Sequence, residues 1–215
     1  MDIKAFIFDM DGLLFDSERI VQRSWEIAGD ELGIPHMEDV IYHTLGMNRA
    51  GRNEYFRKYI REDFPFEEFG KLTRDNFWKI VDKEGLPLKK GAKELLAYGK
   101  SQGYKMAVAT SSSREYAMGN LIRAGIDSYF DSMVCGDMVK KAKPDPEIYQ
   151  KACESLGIQP EYCMAFEDAP GGILSAYQAG MHVIMVPDLV QPTQEIQELT
   201  YRVCDSLADV IGILN

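Results

Sequence analysis

The chain has 215 residues, 46% hydrophobic and 27% charged, with a formal net charge of −10 and a pI near 4.8. That length suits one large domain, or a core with a smaller insert, and the composition is that of a globular protein with chain enough for a full core. An acidic balance with no Lys/Arg block excludes an electrostatic footprint for nucleic acid or an anionic membrane, and no segment approaches the roughly 20 apolar residues of a membrane span. The apolar run Ala5–Phe8 is too short for a signal peptide, so the expected location is the cytoplasm. Cys135, Cys153, Cys163 and Cys204 show no CxxC spacing, and His36, His43 and His182 do not pair with them at a metal-binding spacing. Reduced, buried thiols are their expected state.

Lys4–Phe8 reads as a short strand that is apolar on both faces, as in a parallel sheet. Asp16-Ser17-Glu18 then looks like a helix start, with capping side chains followed by an acid in the first turn. From there to about Lys83 the pattern is helical. Ile20, Trp25, Ile27, Ala28 and Leu32 supply an apolar face, Gly33-Ile34-Pro35 breaks it, and further helices are expected over Met37–Thr44, Arg49–Arg61 and Phe66–Lys83. After Leu86-Pro87-Leu88 helices and strands alternate. Helices are expected over Ala92–Gln102, Glu115–Ala124, Pro146–Leu156, Gly172–Ala179 and Ser206–Leu214. Strands are expected over Lys105–Ala109, Ser132–Cys135, Cys163–Phe166, His182–Val186 and near Arg202–Cys204. The alternation predicts an α/β fold with a doubly wound, mostly parallel sheet. A core of residues 1–15 and 86–215 would be interrupted by a helical insert over 16–85.

In such a sheet ligands bind beyond the carboxyl ends of the strands. Asp9-Met10-Asp11-Gly12 follows the first strand and Thr110-Ser111-Ser112-Ser113 the second. Lys143-Pro144-Asp145-Pro146 follows the third, past a loop, and Glu167-Asp168-Ala169-Pro170-Gly171-Gly172 the fourth. Singly each is ordinary: Asp-x-Asp-Gly is a common turn, the hydroxyl run an N-cap, Lys143 a loop lysine, Glu167-Asp168 a helix start. Together they deliver carboxylates, hydroxyls and one lysine to one rim, which folding alone does not require. Asp9 and Asp11 pose the sharpest problem, because adjacent buried carboxylates need a cation between them or a proton on one.

With "DMDGLLFDSE" at Asp9–Glu18, "ATSSS" at Ala109–Ser113, "KPDPEIY" at Lys143–Tyr149 and "EDAPGGILSAYQAG" at Glu167–Gly180, the chain resembles the haloacid dehalogenase-like (HAD) superfamily. The similarity is to the branch that includes β-phosphoglucomutase and small sugar-phosphate phosphatases. It covers essentially the whole chain and implies a Rossmann-like core with an inserted α-helical cap. It further implies an Mg²⁺-dependent phosphohydrolase acting on a small phosphorylated metabolite, and, for this size class, a monomer. On the family pattern Asp9 is the nucleophile and a metal ligand. Asp11 is general acid and base and lends its backbone carbonyl to the metal. Asp168 is a direct metal ligand, and Glu167 a direct or water-mediated one. Thr110 and the Ser111 N–H contact the phosphoryl group, and Lys143 offsets its charge. Gly12, Ser111, Ser17 and Arg49 are the expected substrate contacts, with Arg49 in a cap loop, Gly46-Met47-Asn48-Arg49, either gripping a second anionic group or standing as an exposed residue at a helix start.

Two other readings stay open. A phosphomutase would use the same chemistry and return the phosphoryl group to a second hydroxyl. Mutases of the family carry a histidine where this chain has Val21, and their cap lysine falls near Thr73, followed here by Arg74. A ligand-binding relative without catalysis would have lost the nucleophile or a metal carboxylate, and all of these are present.

Overall fold

The computed structural model describes residues 2–44 and 49–214, without the side chains of 49 and 50. The element order is β1 (Ala5–Phe8), α1 (Ser17–Glu31), α2 (Met37–Thr44), α3 (Arg49–Tyr59), α4 (Phe66–Glu84), α5 (Ala92–Ser101), β2 (Lys105–Thr110), α6 (Arg114–Ala124), β3 (Ser132–Cys135), α7 (Glu147–Leu156), β4 (Cys163–Glu167), α8 (Pro170–Gln178), β5 (His182–Met185), α9 (Gln194–Glu198), β6 (Arg202–Val203) and α10 (Leu207–Leu214). The strands form one sheet in the order β3-β2-β1-β4-β5-β6, and every pairing is parallel. The fold is α/β, as the alternation predicts. Contacts concentrate in two compact units, residues 1–16 with 87–215, and residues 17–86.

The α/β unit buries both faces of its sheet by period-two alternation. On one face Ala5, Ile7, Ala107, Ala109, Ala165 and Val183 pack with Ile148, Tyr149 and Ala152 of α7 and Ile173 and Ala176 of α8. Small strand residues let these helices approach closely. The alternate residues are large: Phe8 stacks on Phe166 with centroids 4.7 Å apart, and Phe6 meets Phe166 edge-on at 5.2 Å. The four cysteines are buried and free, as expected.

Several element ends differ from the sequence expectation. Thr110 and Glu167 belong to β2 and β4 and pair with Cys135 and Met185. Polar residues there look like loop in a sequence, yet the ladder runs on through them. Helix α8 begins at Pro170 rather than Gly172, because proline is tolerated in a first turn where its missing N–H costs nothing. Helix α7 begins one residue later than expected, α3 ends two residues early, and β5 stops one residue short.

The helical unit packs α1 against α2 and α4 around Trp25, Met37, Phe56, Phe64 and Phe69. Trp25 meets Phe56 and Phe69 edge-on at 5.7 and 5.5 Å. A cavity of about 850 Å³ in this unit is lined by Trp25, Arg52, Asn53, Phe56, Phe69 and Arg74, among others. No described helix is long and apolar enough to cross a membrane.

Gly91 caps α5 with φ +86°, and a Cβ there would overlap the Ala208 backbone at the start of α10. Gly91→Ala combines a left-handed backbone with a steric overlap. It should cost about 2–4 kcal/mol, read as a lower urea midpoint at unchanged slope. A change within about 0.5 kcal/mol would contradict this packing.

Candidate active site

Register brings the carboxylates together. Phe8 pairs with Phe166 on β4 and with Val108 on β2, and the Asp9 N–H donates to the Phe166 carbonyl at 3.0 Å. Asp9 therefore stands beside Glu167, the last residue of β4, just past the end of its own strand. Both are buried, at 7% and 1% exposure.

The cation beside Asp9 is Lys143, and it joins Asp9 to Glu167 rather than to Asp11 as the sequence led one to expect. Its Nζ donates to Asp9 Oδ1 at 2.5 Å, to Glu167 Oε1 at 2.6 Å and to the Ala109 carbonyl at 3.0 Å. Tyr149 on α7 donates its hydroxyl to the same Glu167 oxygen at 2.5 Å. Glu167 Oε2 accepts from the Asp168 N–H at 3.2 Å. Of the glycine pair that follows, Gly172 is the constrained one: a Cβ there would overlap the Glu167 carboxylate, whereas one on Gly171 would meet nothing.

One lysine does not balance this rim. Asp9, Glu167 and Asp168 each bring an oxygen to a common group spanning no more than 4.8 Å. Burial raises the Asp9 pKa to about 7, with Glu167 and Asp11 adding to the rise and Lys143 opposing it. Burial also raises Asp168 well above the carboxylate range, and Asp9 and Glu167 push it further. Burial by itself would lower Lys143, but its two carboxylate partners outweigh that and hold it charged. Three carboxylates around one ammonium leave room, in charge and in donor atoms, for a hard divalent cation. A second grouping, His36, Glu38 and Asp39, lies largely exposed at the start of α2, where acids favour the helix N-terminus in any case.

Asp11 does not join the buried group with its carboxylate. Oδ2 accepts from Ser112 Oγ at 2.7 Å and Oδ1 from the Tyr116 hydroxyl at 3.1 Å. Thr110 is buried, and its Oγ1 accepts from the Ser112 N–H at 3.1 Å, so its own proton is available to a ligand. Ser113, rather than Thr110, caps α6. Gly12 has φ +84°, and a Cβ there would overlap Asp168 Oδ2. In the helical unit, Ser17 is buried with no hydrogen-bond partner for Oγ among the described residues. Gly46, Met47, Asn48 and the Arg49 side chain lie outside the described residues.

Sequence reasoning missed Ser112, Tyr116 and Tyr149, which bond the carboxylates, and Asp188, whose charge adds to the rise of the Asp168 pKa. Ser112 and Tyr149 stood inside quoted motifs without a role. Asp188 follows β5, and the strand-end argument that found the other carboxylates reaches it directly.

These shifts have a sign that can be checked. Asp9 rises from an ordinary value of 3.8, so without metal its contribution to stability is full below about pH 4 and is lost as pH climbs through about 7. Asp9→Asn removes that cost and leaves Lys143 paired with Glu167. In chelator, the variant should be the more stable by about 1–3 kcal/mol at pH 8, with the gap closing toward pH 5. Wild type melting higher than the variant at pH 8 would contradict the charge balance.

A family model of haloacid dehalogenase-like hydrolases matches residues 6–186. A phosphorylated carbohydrates phosphatase of Thermotoga maritima is 35% identical over 182 residues, covering 85% of this chain and 84% of that protein. Hexitol phosphatase A of Escherichia coli is 33% identical over 186 residues, covering 86% of this chain and 84% of that one. The crystal structure of CbbY from Rhodobacter sphaeroides in complex with phosphate superposes with a TM-score of 0.75 at 26% identity, covering 97% and 96% of the two chains. The chain belongs to the haloacid dehalogenase-like hydrolases, and it is a phosphoric monoester hydrolase.

Proposed function

We propose that the enzyme removes phosphate from a small sugar or polyol phosphate through an aspartyl-phosphate on Asp9, with Mg²⁺ at the buried carboxylates. The observation that carries this reading is the Lys143 ammonium bound to Asp9 Oδ1. It holds the carboxylate in one orientation, leaves Oδ2 to attack phosphorus, and offsets the charge of an approaching phosphate. Asp9, Glu167, Asp168 and the Asp11 backbone carbonyl are the residues to hold the cation. When bound, Mg²⁺ supplies the positive charge that lets anionic nucleophile and anionic phosphate meet.

The chain's own groups account for the protons. As the Asp9 Oδ2–P bond forms and the bond from phosphorus to the leaving oxygen breaks, Asp11 gives that oxygen a proton. Asp11 then takes a proton from the water that attacks phosphorus, and the bond to Asp9 breaks to release phosphate. The Thr110 hydroxyl and the Ser111 N–H donate to phosphoryl oxygens throughout. Gly12 leaves the backbone clear beside them. Acidic net charge is no obstacle, because the local field comes from Lys143 and the cation.

The names of two relatives, a phosphatase of phosphorylated carbohydrates and a hexitol phosphatase, support the substrate class. The helical unit is assigned the substrate-selecting role of a cap, with Ser17 and Arg49 as substrate contacts. The mutase reading is not favoured: Val21 packs against the aromatic cluster of the helical unit and offers no imidazole.

Phosphate release from a panel of small phosphate esters tests the proposal. Release should require Mg²⁺, stop in EDTA, and fall by about 10³-fold or more in Asp9→Asn. Interconversion of phosphosugars primed by a bisphosphate, without net phosphate release, would replace this reading with the mutase one.

A further inference from the structure

Asp188 stands two residues beyond Val186, where the chain leaves β5. Its side chain is 10% exposed. Oδ1 accepts from Lys89 Nζ at 2.6 Å, which anchors that oxygen. Oδ2 is fully buried and accepts from no donor among the described residues. A Cβ built on Gly12 would overlap Asp168 Oδ2 and lie 3.4 Å from Asp188 Oδ2. The orphaned oxygen and the Asp168 carboxylate thus border the same spot beside the Gly12 backbone. Asp188 is also one of the charges that raise the Asp168 pKa.

Such an arrangement is costly as it stands. A buried carboxylate oxygen without a donor forfeits its hydration, and a second acid beside it adds repulsion. A donor that is also tied to positive charge removes both costs. A water on a divalent cation is that donor, and Mg²⁺ keeps several of its waters when proteins bind it. We propose that Asp188, fixed by Lys89, completes the cation site: Oδ2 accepts a hydrogen bond from a water carried by the ion at Asp9, Glu167 and Asp168. Asp188 is a positioning residue in this account. The inference rests on the divalent-cation reading above.

Calorimetric titration of Mn²⁺ into chelator-stripped, full-length protein tests it without recourse to activity. Asp188→Asn keeps the shape and can keep the Lys89 bond, but it turns an amide donor or an uncharged oxygen toward the water. It should weaken Mn²⁺ binding about tenfold, in the range seen when outer partners of a metal site are lost. Asp188→Ser, smaller and uncharged, should weaken it similarly. Glu154→Gln, which removes an exposed charge on α7, controls for the general field and should shift affinity by less than about twofold. Melting in EDTA checks that the variants fold. Affinities of both Asp188 variants within twofold of wild type would overturn the inference and leave the cation reading standing. Asp168→Asn binding Mn²⁺ as tightly as wild type would remove the cation site itself, and the inference with it.

Discussion

One buried ammonium organises the acidic end of the sheet. Lys143 Nζ ties the residue after β1 to the last residue of β4 and to the carbonyl of Ala109 in β2. Without it Asp9 and Glu167 would be adjacent buried acids, a costly arrangement that only a proton on one of them would relieve. With it the rim still carries excess negative charge, visible in the upward shifts of Asp9 and Asp168. A stability-driven design would have replaced these acids with apolar residues. Keeping them makes sense where the missing positive charge arrives with function.

Asp9 and Glu167 share one ammonium, whereas Asp11 is held elsewhere, and the difference divides the work. Asp9 is held at one oxygen by Lys143 and Glu167 is held by Lys143 and Tyr149. Asp11 is held through both oxygens by hydroxyls from the loop after β2 and the first turn of α6. A proposed nucleophile and a proposed proton carrier two residues apart are thereby given different surroundings, which lets two like groups take unlike roles. Strand register sets the spacing, since Phe8 is in line with both Val108 and Phe166.

Much of this was legible in the sequence because parallel sheets obey simple rules. Apolar runs bounded by glycine and proline mark the strands, and strand ends mark the rim, so Asp9, Lys143, Glu167 and Asp168, which the structure brings together, were singled out as candidates without coordinates. The same rules blur at the ends of elements. Thr110 and Glu167 extend their strands although both are polar, because the ladder continues into the site. Pairings that join distant segments were not legible: nothing local links Tyr116 to Asp11, Tyr149 to Glu167 or Lys89 to Asp188. Such contacts depend on the angle at which a helix or loop crosses a strand end, and a pattern of residue types does not encode that angle. Asp188 was within reach, since the strand-end argument applies to β5 as it does to β4.

The central claim is that Asp9 carries the phosphoryl group. Acid quench during turnover of a good ester, followed by borohydride, reduces an aspartyl-phosphate to homoserine. Peptide mass spectrometry then reads position 9. The account predicts homoserine at that position, formed only in the presence of substrate. Unmodified Asp9 at every quench time, with phosphate released at the normal rate and the method validated on a stable aspartyl-phosphate, would mean that water attacks phosphorus directly.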